Sequence, residues 1–145
     1  MRTADLSPSL QQLVRAAQDA RKTAYAPYSR FSVGAAVRTQ SGAIYVGCNV
    51  ENASYGLAVC AERVAIFNAI ANGERHIVEL AVAAEADPPA RPCGACRQVL
   101  CEFSPTAKII MVGRAGSIVT SDIGMLLPEP FQLVVSSPSS NSPDQ

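Results

Sequence analysis

The chain of 145 residues has a single histidine and no net charge, because 12 Lys+Arg balance 12 Asp+Glu. One histidine excludes a His-rich metal site. It also leaves only His76 as the base for a Ser-His-Asp or Cys-His arrangement, which argues against both. A neutral chain has no long-range field toward DNA, RNA or an anionic membrane, so nucleic acid and membrane are not expected partners. No stretch reaches the roughly 18 apolar residues that a membrane helix requires. The best candidate run, residues 56–71, is interrupted by Glu62 and Arg63. The segment Met1-Arg2-Thr3-Ala4-Asp5-Leu6-Ser7-Pro8 lacks an apolar core and carries an early Asp, unlike a secretory signal. A cytoplasmic location is expected. Thiols stay reduced there, and the five cysteines are an odd number, so they make a poor disulfide scaffold and need another purpose.

Hydrophobic residues make up 48% of the chain and charged residues 17%, which suits one globular domain. The domain is expected over residues 1–135, with a Ser/Pro-rich, disordered tail over 136–145. Ser7 before Pro8 is a helix-start signal, and Leu10, Leu13, Val14, Ala17 and Arg21 then recur at helical spacing. A helix is predicted over residues 8 to about 24. Alternation at Val33, Ala35 and Val37, and again at Ile44 and Val46, around Ser41-Gly42, predicts a hairpin. A helix near 60–72 ends at Gly73, and an apolar strand follows over 77–84. Further elements are a helix near 93–103, strands at 108–112 and 117–120, and a short helix to Leu126 capped by Ser121-Asp122. This order predicts an α/β fold, a three-layer α-β-α sandwich with a mixed sheet of about five strands.

Cys60 opens one predicted helix, and Cys93 and Cys96 open another. A helix N-terminus lowers a thiol's pKa, and zinc binds thiolates. Three thiolates leave one tetrahedral position open, as in catalytic zinc sites; a fourth ligand could come from Cys48 or Cys101. Alone, Cys93-x-x-Cys96 could equally be a redox pair, and Cys60 a small buried hydrophobe. Their conjunction favours zinc. Glu62 could be a solvated first-turn glutamate, but beside an open metal position it becomes the natural general acid/base.

A cysteine-or-histidine zinc site, a non-ligand Glu and a later P-C-x-x-C describe the zinc nucleobase deaminases. The chain resembles, more narrowly, the small single-domain cytidine deaminases that act on free nucleosides. The matching stretches are Tyr28-Ser29-Arg30-Phe31-Ser32-Val33-Gly34-Ala35-Ala36, Gly47-Cys48-Asn49-Val50-Glu51-Asn52-Ala53-Ser54-Tyr55, Cys60-Ala61-Glu62-Arg63, Pro92-Cys93-Gly94-Ala95-Cys96-Arg97-Gln98-Val99-Leu100 and Leu126-Leu127-Pro128. Many relatives have Pro in place of Ser32 and a small residue in place of Arg91.

The resemblance implies a cytidine deaminase-like fold and zinc on Cys60, Cys93 and Cys96. It implies hydrolysis of cytidine and 2'-deoxycytidine to uridine and 2'-deoxyuridine plus ammonia, by a zinc-bound hydroxide with Glu62 as proton shuttle, in pyrimidine salvage. Asn49 and Glu51 would bind the ribose, Phe31 would pack on the pyrimidine, and Arg63 would hydrogen-bond the thiolates. Phe131 would reach a neighbouring subunit's site in a homotetramer with shared active sites. Three thiolates and Zn²⁺ sum to −1, and Arg63 with two helix N-termini could offset that charge. Turn chemistry is the alternative for Asn49 and Glu51, and a surface position for Arg63. Three rival functions share features: a deaminase of a blasticidin-type compound, a structural zinc module, and nucleic-acid editing.

Overall fold

The computed structural model describes residues 1–134; the expected tail over 136–145 lies outside them. Helix α1 (Pro8–Arg21) starts as predicted, with Ser7 as N-cap: its hydroxyl oxygen accepts from the Leu10 amide at 3.3 Å. It ends three residues earlier than expected. Lys22, Thr23 and Ala24 make tight i−3 backbone bonds instead of continuing the helical ladder.

Strands β1 (Val33–Thr39) and β2 (Ile44–Cys48) form the expected hairpin around Gly42, whose φ of +89° suits glycine. Helix α2 (Ala61–Ala71), β3 (Ile77–Ala84), α3 (Gly94–Phe103) and β4 (Lys108–Val112) follow. Then come β5 (Ile118–Asp122) and a short α4 (Ile123–Leu126). Strand β5 runs two residues further than predicted. Asp122 both closes the strand and caps α4, accepting from the Met125 amide at 2.9 Å.

The sheet has five strands in the order β2-β1-β3-β4-β5 among the described residues. Only β3 and β4 run parallel, and α3 lies between them in sequence. On one face, Leu10, Leu13, Val14 and Ala17 of α1 pack on Ala36, Ala81, Ala83, Ile110 and Val112. On the other, Ala65, Ile66 and Ala69 of α2 and Leu100 of α3 pack on Ala35, Val37, Leu80, Val82, Ile109 and Met111. Alternate residues of one strand thus feed two cores, and the three-layer sandwich expected from the element order is present. Burial on both faces explains why β3 reads as a nearly continuous apolar run.

Two glycines permit the close helix–sheet approach. A Cβ on Gly34 would meet the backbone of Ala17 and Arg21 in α1. One on Gly47 would lie 2.7 Å from the Ala61 carbonyl and collide with Ala65 of α2. Gly47 therefore lets β2 sit directly under the start of α2, where the candidate site begins.

Candidate active site

Two helix N-termini converge. Cys60 is the N-cap of α2 and Cys93 the N-cap of α3, both in extended backbone conformation. Neither thiol makes a capping bond, so both remain available. Cys96, one turn into α3, is only 1% exposed. The three Sγ atoms lie within 4.8 Å of one another. Cys60 and Cys93 are 3.9 Å apart, and Cys93 and Cys96 3.4 Å. Tetrahedral zinc with Zn–S near 2.3 Å requires sulfurs about 3.8 Å apart, so the three thiols fit zinc. Cys48 and Cys101 are not in the group among the described residues. Cys101 packs on the α2/α3 core, and Cys48 Sγ is 3.5 Å from the Thr23 carbonyl.

Charge is distributed unevenly over the cluster. A hydrogen bond from Cys96, with the Arg63 guanidinium beside it, holds the Cys60 thiol down to about 5. The Cys96 thiol is pushed up, first by donating to Cys60 and then by burial. Arg63 Nη2 donates to Cys60 Sγ at 3.5 Å, while its Nε is shielded from solvent without a partner. Arg63 is thus a neighbour of the thiols and not a free surface charge.

Glu62 is 5% exposed. Burial, then the negative charge on Cys60, raises its carboxyl above the ordinary value. It lines a cavity of about 280 Å³ together with Phe31, Asn49, Glu51, Cys60 and Cys93. The structure therefore brings these six expected site residues to one space, with Cys96 and Arg63 behind them.

Asn49 shapes the cavity as well as lining it. Its Oδ1 accepts from the Val33 amide at 2.9 Å and its Nδ2 donates to the Phe31 carbonyl at 2.8 Å. An amide side chain retains one further N–H and one lone pair for a ligand. Glu51 Oε1 accepts from the Tyr28 and Ser29 amides at 2.9 and 3.0 Å, which leaves Oε2 for a ligand. The Ser29 hydroxyl and amide, then the Tyr28 amide, hold the Glu51 carboxyl below its ordinary value. Turn chemistry and ligand reach therefore coexist at both residues.

Phe131 stands elsewhere, 72% exposed, beside Gln98 and Glu102. Two further polar residues line the cavity: Ser29, to which the sequence alone gives no role, and Arg91, which departs from the family pattern and shares a wall with Cys93. Nothing local marks Ser29, whose place depends on Glu51 across 22 residues. Arg97 is a third. Its Nε and Nη1 donate to the Pro92 and Leu126 carbonyls at 2.8 and 2.9 Å, fixing the loop that leads into Cys93.

Residues 7–112 match the family described as "Cytidine and deoxycytidylate deaminase zinc-binding region". The chain belongs to this family. As a member, it is a zinc-dependent deaminase, and the three-thiol pocket is where the zinc fits. A cytidine deaminase of Halalkalibacterium halodurans is 47% identical over 122 residues, 83% of this chain and 92% of that one. A cytidine deaminase of Mycobacterium tuberculosis is 39% identical over 117 residues, 81% of this chain and 85% of that one. The crystal structure of cytidine deaminase from Burkholderia pseudomallei superposes with a TM-score of 0.82 at 46% identity. It covers 87% of this chain and 100% of that chain.

Proposed function

We propose that the chain hydrolyses cytidine and 2'-deoxycytidine to uridine and 2'-deoxyuridine plus ammonia, as an enzyme of pyrimidine salvage in the cytoplasm. One observation carries this reading: three clustered thiols at two helix N-termini adjoin a cavity that Cys60, Cys93 and the buried Glu62 line. Zinc held by Cys60, Cys93 and Cys96 would supply a Lewis acid that makes water a nucleophile near neutral pH.

The chain's own residues do the rest. Glu62 accepts a proton from the attacking water as its oxygen bonds to C4 of the base. It passes that proton to N3, then transfers the second to the departing amino group, so water and cytidine become uridine and ammonia. Burial keeps Glu62 out of competing solvent exchange. Arg63 places a positive charge against the thiolates and offsets their excess negative charge.

Substrate contacts follow from the free valences. Asn49 Nδ2 and Glu51 Oε2 hydrogen-bond the ribose hydroxyls, and half-exposed Phe31 packs on the pyrimidine. Phe131, outward-facing on its own subunit, reaches the site of a neighbour in a homotetramer. A neutral nucleoside agrees with the zero net charge, which gives no electrostatic footprint for nucleic acid. No helix among the described residues is long and apolar enough to cross a membrane.

The deciding test is the loss of the cytidine absorbance band on adding enzyme, with and without a chelator. Zinc-dependent loss with ammonia release supports the reading. Stoichiometric zinc without ammonia release would leave a structural zinc module in its place.

A further inference from the structure

We propose that Gln98 is a positioning residue that sets where the Phe131 ring is held and, through it, the affinity for substrate. The Gln98 side chain grips the Phe131 backbone from both sides. Its Nε2 donates to the Phe131 carbonyl at 3.0 Å, and the Phe131 amide donates to its Oε1, also at 3.0 Å. This is the two-bond pattern of paired strands, made here by a side chain on α3. It needs one donor and one acceptor on the same planar group, which restricts it to an amide. Asparagine is shorter by one methylene, and glutamate lacks the donor.

The place of Gln98 on α3 gives the clamp its meaning. Cys96, Arg97 and Gln98 are consecutive. Cys96 joins the thiol cluster, Arg97 holds the Pro92 and Leu126 carbonyls, and Gln98 holds Phe131. One turn of helix therefore sets one thiol of the cluster, the loop before Cys93 and the segment at Phe131 in fixed register. Among the described residues, the hydrogen bonds that hold residues 131–134 are the two with Gln98. Residues 131–134 have no regular secondary structure, and Phe131, Leu133 and Val134 are 72%, 75% and 93% exposed. Exposed terminal segments fluctuate unless tied down. A ring on such a segment can serve a site reproducibly only if its backbone is fixed, and the clamp acts at the Phe131 peptide groups themselves. The inference rests on the reading that Phe131 contacts substrate in a second copy's site.

The test is Gln98→Met, which keeps the side-chain length and removes both hydrogen bonds. Zinc content and kcat should stay near wild type while KM for cytidine rises about three- to tenfold. Phe131→Ala should raise KM as well, and the double variant should be no worse than Phe131→Ala alone. The Phe131 amide should exchange with solvent faster in Gln98→Met than in wild type, a readout that does not depend on turnover. Unchanged exchange overturns the clamp, even if the wild-type protein proves inactive on cytidine. Faster exchange with unchanged KM overturns the positioning role. Effects that multiply in the double variant, or loss of zinc in Gln98→Met, show that Gln98 acts elsewhere and overturn it too. If Gln98→Met does not fold, Gln98→Glu, which keeps only the acceptor, takes its place with the same expected direction.

Discussion

Arg63 Nη2 lies 3.5 Å from Cys60 Sγ, one turn along the same helix. The two are therefore held together by α2 itself and need no tertiary contact to meet. Cys60, in turn, is the thiol whose pKa is lowered to about 5, with a hydrogen bond from Cys96 as the leading cause and Arg63 next among those that lower it. Arg63→Gln removes the charge and keeps a donor. Zinc should be retained and activity should fall about tenfold, in the range for residues that support a metal ligand. Losing a positive charge raises the pKa of nearby acidic groups, so the acid limb of the pH–rate profile should move to higher pH. An unmoved profile would argue against the charge-balancing role.

Glu62→Ala separates metal binding from proton transfer. Glu62 is not among the three thiol ligands, and burial disfavours its charge. Zinc content should match wild type, and turnover should fall by at least about 10²–10⁴, the usual contribution of general acid–base catalysis. Near-normal ammonia release from the variant would remove Glu62 from the mechanism.

Cys93→Ser tests the ligand set. Serine replaces a thiolate with a poorly acidic hydroxyl at the start of α3, where Cys93 Sγ lies between Cys60 and Cys96. Both zinc and activity should be lost, with metal analysis of the purified variant as the readout. Full zinc occupancy would mean that the metal sits elsewhere.

How far these residues could be read before folding differs by case. Cys60, Cys93, Cys96 and Glu62 were legible from position alone, because helix starts can be predicted and thiols there are conspicuous. The apolar run over Ile77–Ala84 likewise marks a buried strand, but the alternation at Val33, Ala35 and Val37 shows only one apolar face, and Ala36 on the other is buried under α1. Phe31, Asn49 and Glu51 came from family resemblance and not from their own pattern. Their meeting depends on the crossing of the loop before β1 and the strand end at Cys48, seen in bonds such as Asn49 Nδ2 to the Phe31 carbonyl. The end of α1 is not legible in the sequence, because Lys22, Thr23 and Ala24 include no helix breaker and only their i−3 bonds mark the stop. The Gln98 clamp was invisible, since its partner is backbone 33 residues away.

Glu51 predicts a pH dependence. Its carboxyl is held below the ordinary 4.5 by hydrogen bonds from Ser29 and Tyr28. A depressed folded-state pKa adds stability that is fully present above the unfolded value and is lost as pH falls through the folded one. In metal-free protein, the Tm advantage of wild type over Glu51→Gln should be constant above pH 4.5 and close below it. A gap that widens on acidification would contradict the hydrogen-bonded carboxylate. In the zinc-loaded enzyme, Glu51→Gln should raise KM for cytidine, and wild type should turn over free cytosine poorly.

Gly47 tests whether the sheet positions the site. A Cβ there would meet the Ala61 carbonyl at 2.7 Å and the Ala65 backbone, and these are the first turns of the helix that carries Cys60 and Glu62. Gly47→Ala must push α2 away from β2, since the contact is with backbone and no rotamer can relieve it. The expected loss of stability is about 1–3 kcal/mol, the usual range for overpacking. Zinc affinity should fall with it, because Cys60 moves with α2 while Cys93 and Cys96 stay on α3. Gly56→Ala is the control, as a Cβ there meets nothing within 4 Å. Thermal unfolding and zinc titration of both variants read the effect. Equal zinc affinity in a destabilised Gly47→Ala would show that the thiol cluster is held by its own helices and owes nothing to β2.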